Sequence, residues 1–263
     1  MKYWLLLFLL VPAFVSAQNP YPSEKMRPPT MEEIFSVKET FRYEVKYSFL
    51  RLGWVEVSIL SDTLYDGSIK KHMFTDIRSN PKIPLVGTEI DQFHSLFYVN
   101  KDGLPVTSTY WKDNIDEGKY DEIRYNFDRE NGVVTYREED DTRDTLKLVE
   151  PATAGHIIFY FARLFAGSDS TTTMPVYVTK RSGEIIMENP STKEIRNYAA
   201  FDEPIEAYMS SGRTHNIDGP FGFSGNFRAW FLADDLRVPL EARVKVFFGN
   251  AIVRLIEYKR EEL

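Results

Sequence analysis

Cysteine is absent from the 263-residue sequence. This absence excludes disulfide bonds, thiolate metal sites, cysteine nucleophiles and lipid attachment to a cysteine. Stability must therefore come from an ordinary hydrophobic core, and a chain of this length is long enough to bury one.

The sequence also lacks a segment of concentrated positive charge. Its 32 Lys and Arg residues are scattered among 39 Asp and Glu residues, which gives a formal net charge of −7. Nucleic-acid binding requires a basic stripe that contacts phosphates. We therefore expect no nucleic-acid partner.

Long apolar runs are missing except at the start of the chain. The run from Trp4 to Val15 follows Lys2 and precedes the small residues Ser16 and Ala17. This pattern predicts a secretory signal peptide over residues 1–17 and a periplasmic or secreted protein. Because a membrane-spanning helix needs roughly 20 apolar residues, we expect no transmembrane segment in the mature chain.

Common catalytic motifs are missing as well. The sequence has no Gly-x-Ser-x-Gly, no phosphate-binding glycine loop and no His-Glu-x-x-His. Its four histidines are widely separated, without the spacing of local metal ligands. We predict no cofactor and no metal site, and the sequence favours a non-enzymatic role.

What the sequence does contain is period-two alternation. From Phe41 to Phe49, aromatic and aliphatic residues alternate with polar ones, and similar segments recur along the chain. This pattern predicts one all-β domain over residues 41–263. The expected fold is a strongly curved antiparallel meander of roughly ten or more strands, barrel-like or half-open, with one amphipathic helix packed on it.

Glycines mark the predicted turns between these strands. Gly53 predicts a bend or the tip of the first hairpin. Other turns are predicted at "YDGS" (65–68), "RENG" (129–132), "RSGE" (181–184) and Gly249-Asn250.

Before this domain, residues 18–40 predict an extended leader with one short helix, and residues 18–29 are expected to be weakly held. Thr30 and Glu33 have the spacing of a capping box, which starts a helix that runs to about Lys38.

The main helix is predicted over residues 153–166. At about 100° per residue, one of its faces is apolar and the other carries His156, Tyr160 and Arg163. These three residues are either a ligand-facing stripe, in which Arg163 holds an acidic headgroup, or the solvated side of the helix.

The stretch "WFLADDLRVP" interrupts a strand pattern with Asp234 and Asp235. Adjacent residues of an extended chain point to opposite faces, so a catalytic carboxylate pair is disfavoured. We predict a structural corner in which Arg237 pairs with one carboxylate and Pro239 begins the next strand. Trp230, just before the corner, is expected to pack and is a further candidate binding residue.

Several stretches between about residues 41 and 258 resemble the exported bacterial proteins of domain of unknown function 3108. They are "FRYEVKYSFLRLGWVEVSI", "FYVNKDGLPV", "YNFDRENGVV", "HIIFYFARLF", "MPVYV" and "WFLADDLRVPLEARVKVFFGNAIVRL". The resemblance implies an exported, mostly β domain and supplies no catalytic residues. Where that family often has an Asp and a Ser before the helix, this chain has "TAGH" (153–156), so no role for those side chains carries over.

Three functions remain open. The leading hypothesis is a non-enzymatic envelope protein that binds a lipid or other amphiphile, or an envelope partner protein; it predicts a cavity lined by apolar side chains. The second is an envelope hydrolase acting on glycan or lipid, which requires Asp234, Asp235 or His156 to converge on one cleft. The third is an interaction scaffold, which predicts an exposed apolar patch and no cavity.

Overall fold

The computed structural model describes residues 27–83, 87–217, 225–245 and 250–262. The strands in these ranges are β1 (Val37–Tyr47), β2 (Leu50–Ile59), β3 (Thr63–Tyr65), β4 (Ser68–Ser79), β5 (Ile90–Val99), β6 (Pro105–Asn114), β7 (Lys119–Asp128), β8 (Val133–Glu138), β9 (Arg143–Lys147), β10 (Thr153–Ala154), β11 (Ser170–Val178), β12 (Arg181–Asn189), β13 (Lys193–Arg196), β14 (Ile205–His215), β15 (Asn226–Leu232), β16 (Pro239–Lys245) and β17 (Asn250–Glu262). The helices are α1 (Met31–Ile34) and α2 (Ile158–Phe161), and α2 is flanked by 3₁₀ turns at Gly155–Ile157 and Ala162–Leu164. We call residues 155–164 together the helical segment.

The described strands form one sheet. From one edge to the other the order is β10, β11, β12, β14, β15, β16, β17, β1, β2, β4, β5, β6, β7, β8 and β9, while β13 and β3 pair with β14 and β4. Among these strands, only β10 and β11 run parallel. The first and last described strands therefore meet in the middle of the sheet, where β1 pairs with β17 along its length.

The sheet curls until its β10 edge lies against β6. The Thr107 amide donates to the Ala152 carbonyl at 3.1 Å, and the Ala154 amide donates to Thr107 Oγ1 at 2.9 Å. We call this contact between the β10 edge and β6 the seam. The Arg129 guanidinium bridges it by donating to the carbonyls of Thr107 at 2.8 Å and Ala152 at 3.3 Å. This confirms the predicted barrel-like, curved antiparallel sheet with one helix packed on it.

The two ends of this curled sheet differ. One end, which we call the hairpin end, carries the turns at 48–49, 115–118 and 179–180. The other, which we call the helix end, carries α1, the end of the helical segment and the connection 233–238. Strand registers place these features at opposite ends of the same sheet.

The predicted capping box is present at α1, but the helix is shorter than predicted. Thr30 Oγ1 accepts from the Glu33 amide at 3.2 Å, and the Glu33 carboxylate accepts from the Thr30 amide at 2.9 Å. Met31 and Ile34 are each 1% exposed and belong to the core. Two apolar side chains therefore dock this helix on the core, and β1 follows at Val37, before the predicted start of the domain at residue 41.

The main helical segment is also shorter than the predicted 153–166, and its faces are assigned incorrectly by the sequence. Ile157 and Phe161 are buried as expected, but Tyr160 and Arg163 are buried as well. A ten-residue segment that alternates between 3₁₀ and α geometry does not keep the 100° rotation on which the prediction relied. No helix of the described residues is long and apolar enough to cross a membrane.

Two glycines predicted as turns lie inside strands. A side chain on Gly53 would collide with the Arg78 carbonyl of β4, and one on Gly183 with the His215 carbonyl of β14. Glycine serves close backbone approach at both positions. The actual turns are at 48–49 and 179–180, where Ser48, Thr179 and Lys180 have positive φ.

The turns at 65–68 and 129–132 are confirmed. The predicted turn at Gly249-Asn250 lies only partly within the described residues, since β17 begins at Asn250. The predicted signal peptide 1–17 and the leader up to residue 26 lie outside them.

Candidate functional site

A cavity of about 310 Å³ lies inside the curled sheet. The helical segment contributes His156, Ile158 and Phe159 to its lining. Its sheet walls are aliphatic and aromatic and include Val57, Met73, Ile77, Val176, Met187 and Val253. Other lining residues, such as Val178, Thr214 and Val244, lie near strand ends. The cavity therefore extends from the helical segment toward the hairpin end.

Small residues on facing elements make room for this cavity. Gly155 and Ala162 lie on the helical side, and Ala229 and Ala242 lie on the sheet side. Ala229 and Ala242 are directly paired across β15 and β16, so both face the interior. Larger residues at these four positions would fill the space.

The cavity has two polar groups next to its aromatic wall. Thr75 is 2% exposed, and its Oγ1 has no hydrogen-bond partner in the described structure. The His156 ring stacks on Phe93 with a centroid distance of 4.4 Å, and Phe93 is paired with Thr75 across β4 and β5. Burial lowers the pKa of His156 to about 4, so this ring is neutral at physiological pH.

The other two predicted stripe residues turn away from the cavity into the helix end. Tyr160 packs against Phe35 and Phe97, with ring centroids at 5.6 and 6.2 Å. Arg163 is fully buried. The structure therefore separates His156 from Tyr160 and Arg163, and the three do not form one ligand-facing stripe.

Arg163 is held by a carboxylate of this same chain. Its Nη1 and Nη2 donate to the two oxygens of Glu39 at 2.7 and 3.0 Å, and its Nε donates to the Leu236 carbonyl at 2.9 Å. The Tyr258 hydroxyl also donates to Glu39, at 2.6 Å. The Glu39 carboxylate therefore takes the place that an acidic ligand headgroup was expected to occupy. Glu39 reaches Arg163 because β1 starts earlier than predicted and carries this residue under the helical segment.

The two aspartates lie in the connection between β15 and β16, as a corner would require. Asp234 is buried, and its Oδ1 accepts from the amides of Leu236 and Val238 at 3.2 and 3.3 Å. Asp235 accepts two hydrogen bonds from Arg260, both at 2.9 Å. Each carboxylate therefore has a separate structural partner.

Arg237, which was predicted to pair with one of these carboxylates, lies in the same corner. Arg237 is buried and donates to the carbonyls of Ala166 and Asp234. It therefore ties the corner to the end of the helical segment. Pro239 begins β16, as predicted.

Trp230 and Glu241 border the cavity through their strands, but alternation along β15 and β16 directs their side chains to the outer face. The Trp230 indole donates to Glu194 at 3.0 Å, and its ring lies 4.4 Å from the Arg196 guanidinium. Trp230 packs, as predicted.

Two of the separated histidines meet in space. His72 Nε2 and His94 Nδ1 are 3.0 Å apart on the paired strands β4 and β5. Burial and the neighbouring His94 lower the pKa of His72 to about 4. Among the described residues, no group of three or more potential ligands could hold a metal ion.

The geometry does not assemble the hydrolase site that the second hypothesis requires. His156 lines the cavity, whereas Asp234 and Asp235 lie at the helix end in their own hydrogen bonds. Sequence reasoning missed Glu39, Thr75 and Tyr258. The alternation of residues along a strand predicts which face of the sheet each of them lies on. No local sequence pattern indicates which distant residues pack against that face.

The fold and the cavity define a β-barrel-like protein that encloses an apolar space beneath a short helical segment. The chain belongs to the DUF3108 family of proteins of unknown function, whose family model matches residues 42–256. This confirms the resemblance seen in the sequence. No curated protein matches the chain.

Solved structures with a related architecture include a β-barrel-like protein of domain of unknown function DUF1849 from Brucella abortus. It has a TM-score of 0.52 and 7% identity, over 85% of this chain and 98% of that one. At this identity the likeness concerns the fold alone. A protein with a YmcC-like fold from Bacteroides fragilis has a TM-score of 0.35 and 9% identity, over 91% of this chain and 98% of that one, which is too low to support an argument.

We expect Arg163→Met to destabilise the protein by about 3–5 kcal/mol, because it leaves the buried Glu39 carboxylate without its cation. The double variant with Glu39→Leu should recover much of this loss, since an apolar pair can replace a buried ion pair. Chemical denaturation measures both. Lys38→Met breaks an exposed ion pair with Glu261 and serves as the control, with an expected change below about 1 kcal/mol. If Arg163→Met also lowered the unfolding free energy by less than about 1 kcal/mol, the buried ion pair would not stabilise the protein as described.

Asp234 makes stability depend on pH. Burial raises its pKa to about 7, so the folded state retains a proton that the unfolded state loses near pH 4. Stability from this group is present at low pH and is lost as pH rises toward 7, by up to about 1.4 kcal/mol per pH unit. Relative to Asp234→Asn, the wild type should therefore lose unfolding free energy between pH 4 and 7. A stability difference between the two proteins that does not change with pH would refute this assignment.

Proposed function

We propose that this protein is a non-enzymatic envelope protein that binds an apolar or amphipathic ligand in the cavity beneath the helical segment. The observation that supports this is the cavity itself. Protein interiors are close-packed, and at roughly 24 cal/mol per Å³ a volume of this size costs several kcal/mol. A ligand that fills it offsets that cost.

The size and lining of the cavity limit the ligand. Its volume of about 310 Å³ lies at the lower end of the roughly 300–1,000 Å³ typical of small-molecule sites. One hydrocarbon chain or a small apolar ring system suits it better than a whole two-chain lipid. A larger amphiphile would leave its polar part outside, toward the hairpin end.

Thr75 and His156 indicate that the ligand of the cavity carries one polar atom. An unpaired buried hydroxyl carries a desolvation penalty, and the neutral imidazole stacked on the neighbouring Phe93 supplies one donor and one acceptor. Because both groups are uncharged, the ligand atom that meets them is an uncharged hydroxyl or carbonyl oxygen. Charged headgroups do not belong at this position.

The proposed location is the cell envelope or beyond it. Residues 1–17 have the charge, apolar run and small residues of an export signal. In this proposal the signal is removed and residues 41–263 act as one binding domain.

The first test is native mass spectrometry, with organic extraction, of protein purified from its own envelope. We expect a stoichiometric amphiphile that is lost in Ala242→Phe, because the added ring fills the cavity. Ile195→Phe, at a position 62% exposed, is the matched control and should retain the ligand. Thermal unfolding verifies that both variants fold. A ligand-free wild type, or a folded Ala242→Phe that keeps its ligand, would refute the proposal.

Thr75→Val separates ligand recognition from stability. The substitution keeps the shape and removes a hydroxyl without a partner in the protein, so the ligand-free protein should be as stable or more stable. Affinity for the extracted ligand should fall about fivefold, the value of one net hydrogen bond. Titration calorimetry on stripped protein measures this. An unchanged affinity would mean that Thr75 does not contact the ligand.

A further inference from the structure

Basic side chains gather on the outer face of the sheet near the hairpin end. Directly paired residues from β15 to β2 form a row of Arg228, Arg243, Ile252, Lys46 and Arg51. Residues paired across antiparallel strands share a face. This row therefore presents four cations and no carboxylate.

The next row toward the helix end provides the nearest acidic residues. It consists of Trp230, Glu241, Arg254, Glu44 and Trp54. These two carboxylates pair with Arg243, Lys46 and Arg51 of the first row, but each is outnumbered by the cations around it.

Glu241 is fully buried and accepts from three arginines. Arg196 and Arg254 donate at 3.2 and 2.9 Å, and Arg243 donates to the same carboxylate. One negative charge thus faces three positive charges.

Glu44 is similarly outnumbered. It pairs with Arg51 at 3.0 Å and with Lys46. Positive charge remains in excess on both sides of Arg254.

Arg213 and Lys245 extend this surface. With Arg228 and Arg243 they line a groove of about 760 Å³ on the outer face, which also includes Glu188. Arg213, Arg228 and Lys245 are exposed and form no ion pair with any described residue. We call Arg213, Arg228, Arg243, Lys245, Lys46 and Arg51 the basic rim.

Arg228 and Arg243 are directly opposite each other across β15 and β16. Like charges in this position destabilise a strand pair. Arg243 is already paired with Glu241, so Arg228 is the guanidinium of this pair that is open to an external anion, and guanidinium groups bind phosphate oxygens in bidentate geometry.

An exposed aromatic residue lies at the same end of the sheet. Phe49 forms the β1–β2 turn and is 87% exposed. The turn follows Tyr47, which pairs with Ala251 beside Asn250 of the groove. Exposed Phe side chains next to cations are typical of surfaces that insert into a membrane interface.

The opposite half of the hairpin end is acidic. Its turns 115–118 and 139–142 carry Asp116, Glu117 and three further acidic residues. Lys119 and Arg143 pair with some of these carboxylates, but the acidic residues are in excess in these turns, so this half is less suited to an anionic surface than the half with the basic rim.

We propose that the basic rim and Phe49 dock this protein on an anionic lipid membrane. The cations contact lipid phosphates, and Phe49 enters the headgroup region. This inference rests on the proposed function, because docking brings the hairpin end, toward which the cavity extends, to the lipids that supply its ligand.

Co-sedimentation with phosphatidylcholine vesicles, with and without about 30% phosphatidylglycerol, tests the proposal. We expect binding to the anionic vesicles that falls when salt rises from about 50 to about 500 mM. Arg213→Ser with Arg228→Ser should weaken binding at least about tenfold, and Phe49→Ser should weaken it as well. The matched controls are Arg143→Ser on the acidic half and Leu64→Ser at the helix end, which is 70% exposed. Neither control should change binding.

Three results would overturn this proposal. One is the absence of binding to anionic vesicles. Another is loss of binding in Leu64→Ser but not in Phe49→Ser. The third is self-association in analytical ultracentrifugation that depends on Arg228 and occurs without vesicle binding, which would assign the rim to a second copy of the chain.

Ala242→Phe distinguishes the two proposals. A folded Ala242→Phe should lose its ligand and still bind vesicles. If the wild type holds a ligand but does not bind vesicles, only the docking proposal fails. If it binds vesicles through the rim but never carries a ligand, the cavity proposal fails instead.

Discussion

The buried ion pair between Arg163 and Glu39 is the interaction on which the helix end depends. Burying either charge alone is costly, so each group fixes the position of the other. Glu39 also accepts from Tyr258, and Arg163 donates to the Leu236 carbonyl. One polar cluster thus joins the helical segment, β1, β17 and the corner that follows β15. Because the helical segment is only three short turns, this anchoring rather than helix propensity keeps it across the sheet and above the cavity.

The interior of the sheet is densely packed at the helix end and open in the middle. The difference comes from the size of the side chains that face the interior. Around Tyr160 and Phe97, large aromatic rings fill the interior. Between the helical segment and the hairpin end, Gly155, Ala162 and Ala242 leave the interior unfilled. The apolar walls and neutral His156 make this space suitable for a hydrocarbon, while the charged groups remain on the outer face of the same strands.

The alternation from Phe41 onward was sufficient to predict a curved antiparallel sheet, because one buried face imposes a period of two. Glycine was misleading at Gly53 and Gly183, since close backbone approach and a turn favour the same residue. The helix faces were wrong because burial of Arg163 depends on Glu39, which is distant in sequence. The basic rim escaped detection for a similar reason: its cations are scattered along the chain and meet only through strand register.

Side chains take part in closing the barrel at the β10 edge. In a closed barrel, a continuous ladder of backbone hydrogen bonds fixes the diameter. Here the β10 edge meets β6 through the hydrogen bonds at Thr107 and through the Arg129 guanidinium. Parting this seam would break these bonds together with the hydrogen bonds from the Tyr177 hydroxyl to the Lys147 carbonyl and from the Lys180 amide to Tyr125, and it would separate the packed rings of Phe127 and Tyr177. Every strand ladder would stay intact, so side chains at this seam, rather than a ladder, set how closely the barrel is closed.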